Sequence, residues 1–171
     1  FPTRRSSDLI AHLWFLGFLF MISLLTLPLL RFLRLERGLN LIDTLAWLCN
    51  RPGGIFLLLI PIILVRIISL SFITAGYPFP YFFEFMVFFI IGYILPADTR
   101  FTESIKKHGW LCLLLGLVSF VGICSFSLES GYWGGKPFSL IFVLYQTVYG
   151  IGRWSWIVFV LSLGAKYLSF N

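Results

Sequence analysis

The sequence predicts an all-α fold, a polytopic transmembrane helical bundle with about five spans in this chain. Of the 171 residues, 59% are hydrophobic and only 12% are charged, whereas soluble domains carry about 25% charged residues. A bilayer core of about 30 Å needs roughly 20 apolar residues of helix, and the long apolar runs have about this length. Because each run is apolar nearly all round, we exclude the alternation of a β-barrel.

Five apolar runs define the predicted spans. They are residues 10–30, 55–75, 80–96, 109–128 and 138–164. The first is expected to end near Pro28, and the second follows a cluster of helix breakers at 51–54. The fifth is long enough to tilt, or to break at Gly150 and Gly152. We therefore treat residues 10–171 as part of one transmembrane domain.

The first nine residues differ in composition from the apolar spans. They read FPTRRSSDL, which is the in-frame translation of a common short-read sequencing adapter, so we expect them to be a scar that is not native. An apolar run opens directly at Ile10, and the chain stops at Asn171 without an obvious tail. We accordingly expect residues 10–171 to be an internal piece of a longer protein.

The basic residues between the spans predict the orientation. Eight of them fall on one side and Lys136 alone falls on the other. The eight are Arg31, Arg34, Arg37, Arg51, Arg100, Lys106, Lys107 and Lys166. Since cytoplasmic loops are enriched in Lys and Arg, we predict that 31–54, 97–108 and the C-terminus are cytoplasmic, in a bacterial inner membrane. The net charge of +6 is then topological, and no nucleic-acid partner is predicted.

The cysteines do not indicate a metal site. Cys49, Cys112 and Cys124 show no C-x-x-C spacing. We predict three buried, inert thiols and no bound metal.

Arg66 and Glu84 are polar residues within predicted spans and are candidates for a pocket. No soluble-enzyme motif is present in the chain, so any activity has to come from such groups, which are costly in lipid and usually face the bundle interior. Arg66 lies mid-span with no acidic partner in its own helix. Three interpretations stay open: an ion pair with Glu84, snorkelling to the outer interface, or contact with an anionic substrate group or thioester oxygen.

His12 and Arg153 complete the candidate pocket. Arg153 lies near the middle of the fifth span, where Trp154 and Trp156 could shelter it, and both a structural and a pocket role stay open. His12 lies at the predicted extracytoplasmic end of the first span. An interfacial polar group is the plainer interpretation, although an imidazole would also suit proton transfer from a hydroxyl.

Three stretches together resemble one known family. Residues 12–16 read HLWFL, residues 82–95 read FFEFMVFFIIGYIL with a basic turn after them, and residues 154–171 read WSWIVFVLSLGAKYLSFN. Each resembles an element of the membrane acyltransferase-3 family, especially its glucan-succinyltransferase-like branch. The elements occur in the family's order and are spread over nearly all of the chain after residue 9, although each is short and hydrophobic.

The resemblance implies an integral membrane O-acyltransferase of about ten spans. Such an enzyme moves an acyl group from cytoplasmic acyl-CoA, its co-substrate, to a hydroxyl, commonly of a carbohydrate such as a glucan, without a bound cofactor. His12 carries over as the histidine of the H-L-W-F-L element, with a pocket-lining role. The family's first-helix Arg/Lys and His would lie before Ile10, so the principal catalytic histidine is not assigned here. We therefore expect residues 10–171 alone to be inactive.

Two other functions compete with acyl transfer. A transporter or flippase for a lipid-linked or anionic substrate would use intramembrane arginines and a broken fifth helix equally well. A non-enzymatic membrane scaffold is the third. Neither the acyl donor, the acceptor nor the oligomeric state can be inferred from the sequence.

Overall fold

The predicted all-α fold is confirmed. The structure, a computed structural model, describes residues 3–73, 80–130 and 138–167, with side chains in 16–70, 81–126 and 138–167. These ranges contain helices and no strand. The α-helices are α1 (Thr3–Leu33), α2 (Glu36–Cys49), α3 (Leu59–Ile73), α4 (Pro80–Ile94), α5 (Thr99–Ser130) and α6 (Leu140–Tyr167). Short 3-10 turns at Gly54–Leu58 and Leu95–Ala97 precede α3 and follow α4.

Five of these helices correspond to the predicted spans. Three are long and apolar enough to cross a membrane, over Leu16–Leu33, Thr99–Phe126 and Leu140–Tyr167. Two shorter apolar stretches cover Gly54–Leu70 and Tyr81–Ala97. Because much of their apolar surface is exposed in the described chain, a lipid bilayer is the environment that these helices fit.

The helix ends differ from the predicted spans. α1 continues past Pro28 to Leu33, and it begins at Thr3, inside the segment assigned to the adapter. α5 begins at Thr99, so most of the predicted loop 97–108 is its first three turns. A basic stretch has no membrane hydropathy yet can still be helical, because Lys and Arg are good helix formers. Pro28 is accommodated because transmembrane helices tolerate proline where neighbouring groups satisfy the backbone.

Helix α6 is continuous, so of the two alternatives left open for the fifth span, the break at Gly150 and Gly152 is not observed. A Cβ atom at Gly150 would lie 3.2 Å from the side chain of Ile63, and one at Gly152 would lie 3.1 Å from Ser119 Cβ. These glycines therefore allow α3 and α5 to approach α6 closely, which is the usual role of small residues between membrane helices.

Helix α2 is a second difference, since the sequence analysis treated 31–54 as a loop. It buries one face, and the buried residues are Gly38, Ile42, Ala46 and Cys49. Charged residues such as Arg37 and Asp43 lie on the exposed side, and Leu39 and Trp47 are exposed as well. This amphipathic pattern is that of a helix lying in the membrane interface instead of crossing the bilayer.

The cysteine prediction holds for two thiols and is wrong for the third. Cys49 and Cys112 are buried, and burial raises the pKa of the Cys49 thiol to about 11. Cys124 is exposed. The reason is its position on α5: a Cβ atom at Gly122 would lie 3.8 Å from the Val148 side chain of α6, and a residue two positions further points to the far side of a helix.

Two of the three predicted cytoplasmic regions contact each other at one end of the bundle. Arg100 forms ion pairs with Asp43 of α2 and Asp98, and hydrogen bonds from Arg100 lower the pKa of Asp98. The Ser104 hydroxyl donates to the Cys49 carbonyl at 2.7 Å. The last turns of α6 reach the same end, because Ser162 lies against Gly109. We call this end of the bundle, formed by 31–54, 97–108 and the last turns of α6, the cationic end.

The orientation of the cationic end is a testable prediction. In a variant without the native cysteines, Arg37→Cys is expected to react with a membrane-impermeant maleimide only after the membrane is permeabilised, so that the reagent reaches the cytoplasmic side. Gly134→Cys, outside the described residues, is expected to react in intact spheroplasts. Labelling of both positions from the same side would show that the topology is wrong.

Candidate functional site

Three helices each place polar side chains in one buried region of an otherwise apolar bundle. Arg66 comes from α3, Glu84 from α4, and Gln146, Tyr149 and Arg153 from α6. We call these five residues the polar cluster. Polar groups inside a membrane protein need partners, and the contacts below show that these residues supply them to one another.

Arg66 is the buried centre of the polar cluster, with 5% of its side chain exposed. Its Nη1 donates to both carboxylate oxygens of Glu84, at 3.1 and 3.0 Å, and its Nε donates to Gln146 Oε1 at 3.0 Å. The guanidinium carbon also lies 3.9 Å from the centroid of the Tyr149 ring, a cation–π distance. The ion pair with Glu84 is therefore confirmed, and snorkelling of Arg66 to the outer interface is wrong.

Arg153 contacts the same carboxylate as Arg66. Its Nη1 donates to Glu84 Oε1 at 2.6 Å and its Nη2 donates to the Tyr149 hydroxyl at 3.3 Å. Its side chain is 36% exposed. The expected shelter from Trp154 and Trp156 is wrong, since Trp154 is buried in the apolar core and Trp156 packs on Phe159. The reason for Trp154 is helical geometry, because neighbouring positions project about 100° apart around a helix, whereas the Trp156 ring is engaged by Phe159.

The polar cluster carries an unbalanced charge. Two guanidinium groups, of Arg66 and Arg153, contact a single carboxylate, that of Glu84, which leaves one positive charge in excess. Glu84 is 3% exposed, and an uncompensated charge is costly away from water. The exposed portion of Arg153 is therefore the part of the cluster that can receive an anion or an oxygen with developing negative charge.

Gln146 and Tyr149 are cluster members that the sequence analysis missed. They precede Arg153 by seven and four positions in α6, and residues with this spacing lie on one face of a helix. That spacing was the available signal. It was overlooked because neutral polar residues do not stand out in an apolar run as charges do.

The position of His12 relative to the polar cluster stays a prediction. Its side chain lies outside the described residues. The ring of Phe18, six residues further along α1, packs on Phe82 and Phe85 of α4 at centroid distances of 5.4 and 5.8 Å. At about 1.5 Å per helical residue, His12 is roughly 9 Å before this contact along α1. The helix that carries His12 thus runs beside the helix that carries Glu84.

The cluster suits an anionic group better than a metal ion. Glu84 is its one carboxylate, and both oxygens already accept hydrogen bonds from arginine. Among the residues with described side chains, no group of three or more His, Cys, Asp or Glu is placed to hold a metal ion. Neither family models, curated proteins nor solved structures match this chain, so the arguments for its function are its sequence motifs and this geometry.

Proposed function

We propose that this chain is part of an integral membrane O-acyltransferase, which moves an acyl group from acyl-CoA to a hydroxyl of a carbohydrate. The proposal rests on the three motif resemblances, at 12–16, 82–95 and 154–171, which occur in the order expected for the acyltransferase-3 family. The structural observation that supports it is the excess positive charge of the polar cluster, with Arg153 partly exposed.

The chemistry of acyl transfer gives this charge a role. When a hydroxyl attacks a thioester, negative charge develops on the carbonyl oxygen, and preorganised donors at that position lower the barrier. In this proposal Arg153 supplies such a donor, and Glu84 and Tyr149 fix its guanidinium through the contacts at 2.6 and 3.3 Å. Arg66 also contacts Glu84 and is a positioning residue.

The proposed membrane orientation matches the source of the donor. Acyl-CoA is made in the cytoplasm, and the cationic end, with 31–54 and the start of α5, is the predicted cytoplasmic end. We propose that acyl-CoA approaches from this end, in a bacterial inner membrane, and that the carbohydrate acceptor reaches the cluster from the other side.

A transporter or flippase for an anionic substrate would use the same excess charge. That alternative also relied on a broken fifth helix, and α6 is continuous from Leu140 to Tyr167. Discontinuous helices are the feature that gives many transporters their midplane site. Acyl transfer is therefore the function that this chain supports better.

Arg153→Met tests the proposal. Removing Arg153 leaves Arg66 and Glu84 as a balanced pair, so the fold is expected to persist while the developing oxyanion loses a donor. The substitution is made in the protein encoded by the whole reading frame that contains this chain, and we expect its turnover number to fall about 100-fold. Release of free CoA thiol and the mass of the O-acylated carbohydrate measure the loss, with a panel of acyl-CoA donors.

Arg37→Gln is the matched control, because Arg37 is an exposed arginine of α2. It is expected to keep full activity, and both variants are expected to melt close to the parent. Full turnover in a folded Arg153→Met protein would remove Arg153 from the mechanism. Export of an anionic lipid-linked sugar without any acylated product would favour the transporter.

A further inference from the structure

An apolar groove of about 790 Å³ lies at the cationic end of the bundle. The end of α4 and its following 3-10 turn, the first turns of α5 and the last turns of α6 form its walls. Lining residues from the three walls include Leu95, Ile105 and Val160. The volume falls within the usual range of ligand pockets, roughly 300 to 1,000 Å³. The polar cluster does not contribute to this groove, so the groove is separate from the proposed acyl-transfer site.

Two glycines leave part of this space open. Gly92 of α4 and Gly164 of α6 both line the groove, and a Cβ atom at either position would have no heavy atom within 4 Å. Most other glycines of the described helices contact a neighbouring helix or turn, as Gly109 and Gly150 do. At Gly92 and Gly164 the absent side chains therefore create room for something other than protein.

Two lysines are next in sequence to residues that line the groove. Lys106 follows the lining residue Ile105, and Lys166 lies between the lining residues Ala165 and Tyr167. Neither lysine forms an ion pair with any residue that the structure describes. Tyr167 is 77% exposed, and exposed tyrosines with lysines are typical of the headgroup level of a membrane.

We propose that this groove binds an anionic phospholipid, with one acyl chain along the apolar walls and the headgroup phosphate at Lys106 and Lys166. The groove opens onto a surface made of exposed apolar side chains, with Val160 59% and Leu161 41% exposed, and lipid is the solvent that fits such a surface. The two lysines next to its lining residues would select a negative headgroup, because basic pockets at the cytoplasmic side of membrane helices attract anionic lipid. The site is independent of the proposed acyl transfer.

Lipid titration of the purified chain tests the site. The protein is delipidated in detergent and titrated with phosphatidylglycerol or phosphatidylcholine of the same acyl chains, and bound lipid is counted by native mass spectrometry. One phosphatidylglycerol is expected to bind well before any phosphatidylcholine. The Lys106→Gln/Lys166→Gln variant is expected to bind phosphatidylglycerol about 30-fold more weakly. Lys107→Gln, at an exposed lysine that adjoins no lining residue, is the control.

Filling the groove gives a second, independent readout. The Gly92→Leu/Gly164→Leu variant is expected to fold, because both positions are open, and to lose the bound lipid. Gly17→Leu places the same side chain at another open, exposed position and is expected to leave binding unchanged.

Three results would overturn the proposal. Equal binding of the two lipids by the parent protein would reject an anionic headgroup. Retention of lipid by the folded leucine variant would show that the lipid is held elsewhere. Preferential displacement of phosphatidylglycerol by palmitoyl-CoA would assign the groove to the acyl donor instead of a membrane lipid.

Discussion

Glu84→Gln is expected to destabilise the protein by about 3 to 5 kcal/mol, the cost typical of removing one partner from a buried ion pair. Glu84 is the only carboxylate that contacts Arg66 and Arg153 among the described residues, and 3% of its side chain is exposed. Glutamine keeps the shape and one acceptor oxygen. It removes the negative charge, so the guanidinium groups of Arg66 and Arg153 lose the charge that both contact.

Thermal unfolding in detergent measures the effect. A loss of this size corresponds to a melting temperature lower by roughly 10 °C. Glu103→Gln is the matched control, because Glu103 is exposed on α5 and forms no ion pair with the described residues. Its melting temperature is expected to stay within about 1 to 2 °C of the parent.

A double variant separates charge from packing. Adding Arg66→Met to Glu84→Gln removes the more buried guanidinium and leaves Arg153, which is 36% exposed and can be hydrated. The double variant is therefore expected to be more stable than Glu84→Gln alone, which is a coupling between neighbouring sites. If Glu84→Gln has the same melting temperature as the parent protein, the carboxylate is not what stabilises the two arginine charges.

The transmembrane helices could be predicted because hydropathy reports the segments that leave water. It does not report where a helix continues into polar surroundings. The first turns of α5, which contain Lys106 and Lys107, carry charge and so resembled a loop, although their backbone is helical. Helix α2 was missed for the same reason, since only one of its faces is buried.

The pairing of the charged residues Arg66 and Glu84 in the polar cluster could be predicted from the sequence. Arg66 in an apolar span requires a partner, and Glu84 was the acidic residue at a compatible depth, so the pair follows from the cost of an unpaired charge. The spacing of Gln146, Tyr149 and Arg153 places them on one face of α6, but the direction in which that face points could not be inferred, because the apolar residues surround the helix nearly evenly. Only the structure shows that the face with Gln146, Tyr149 and Arg153 turns toward α3 and α4.

The close contact between α5 and α6 is the second place where a single substitution is expected to lower stability strongly. At Gly109 a Cβ atom would lie 2.6 Å from Ser162 Cβ, and at Gly152 one would lie 3.1 Å from Ser119 Cβ. Small residues let antiparallel membrane helices approach until their backbones nearly touch. The Ser162 Cβ atom is held by the backbone and cannot rotate away. A larger residue at Gly109 therefore has to push α5 and α6 apart.

Gly109→Leu is therefore expected to lower stability by about 3 kcal/mol, the upper part of the usual range for overpacking. The smaller change Gly109→Ala is expected to have a partial effect, and Ser162→Gly in the same chain is expected to reverse it, because it removes the atoms that the new Cβ would meet. Melting temperatures of the two single variants and the double variant measure this compensation. Gly164→Leu, on α6 two residues from Ser162 but facing open space, controls for the added side chain. An equal loss in Gly109→Ala with and without Ser162→Gly would show that the contact between α5 and α6 at this level is not the one described.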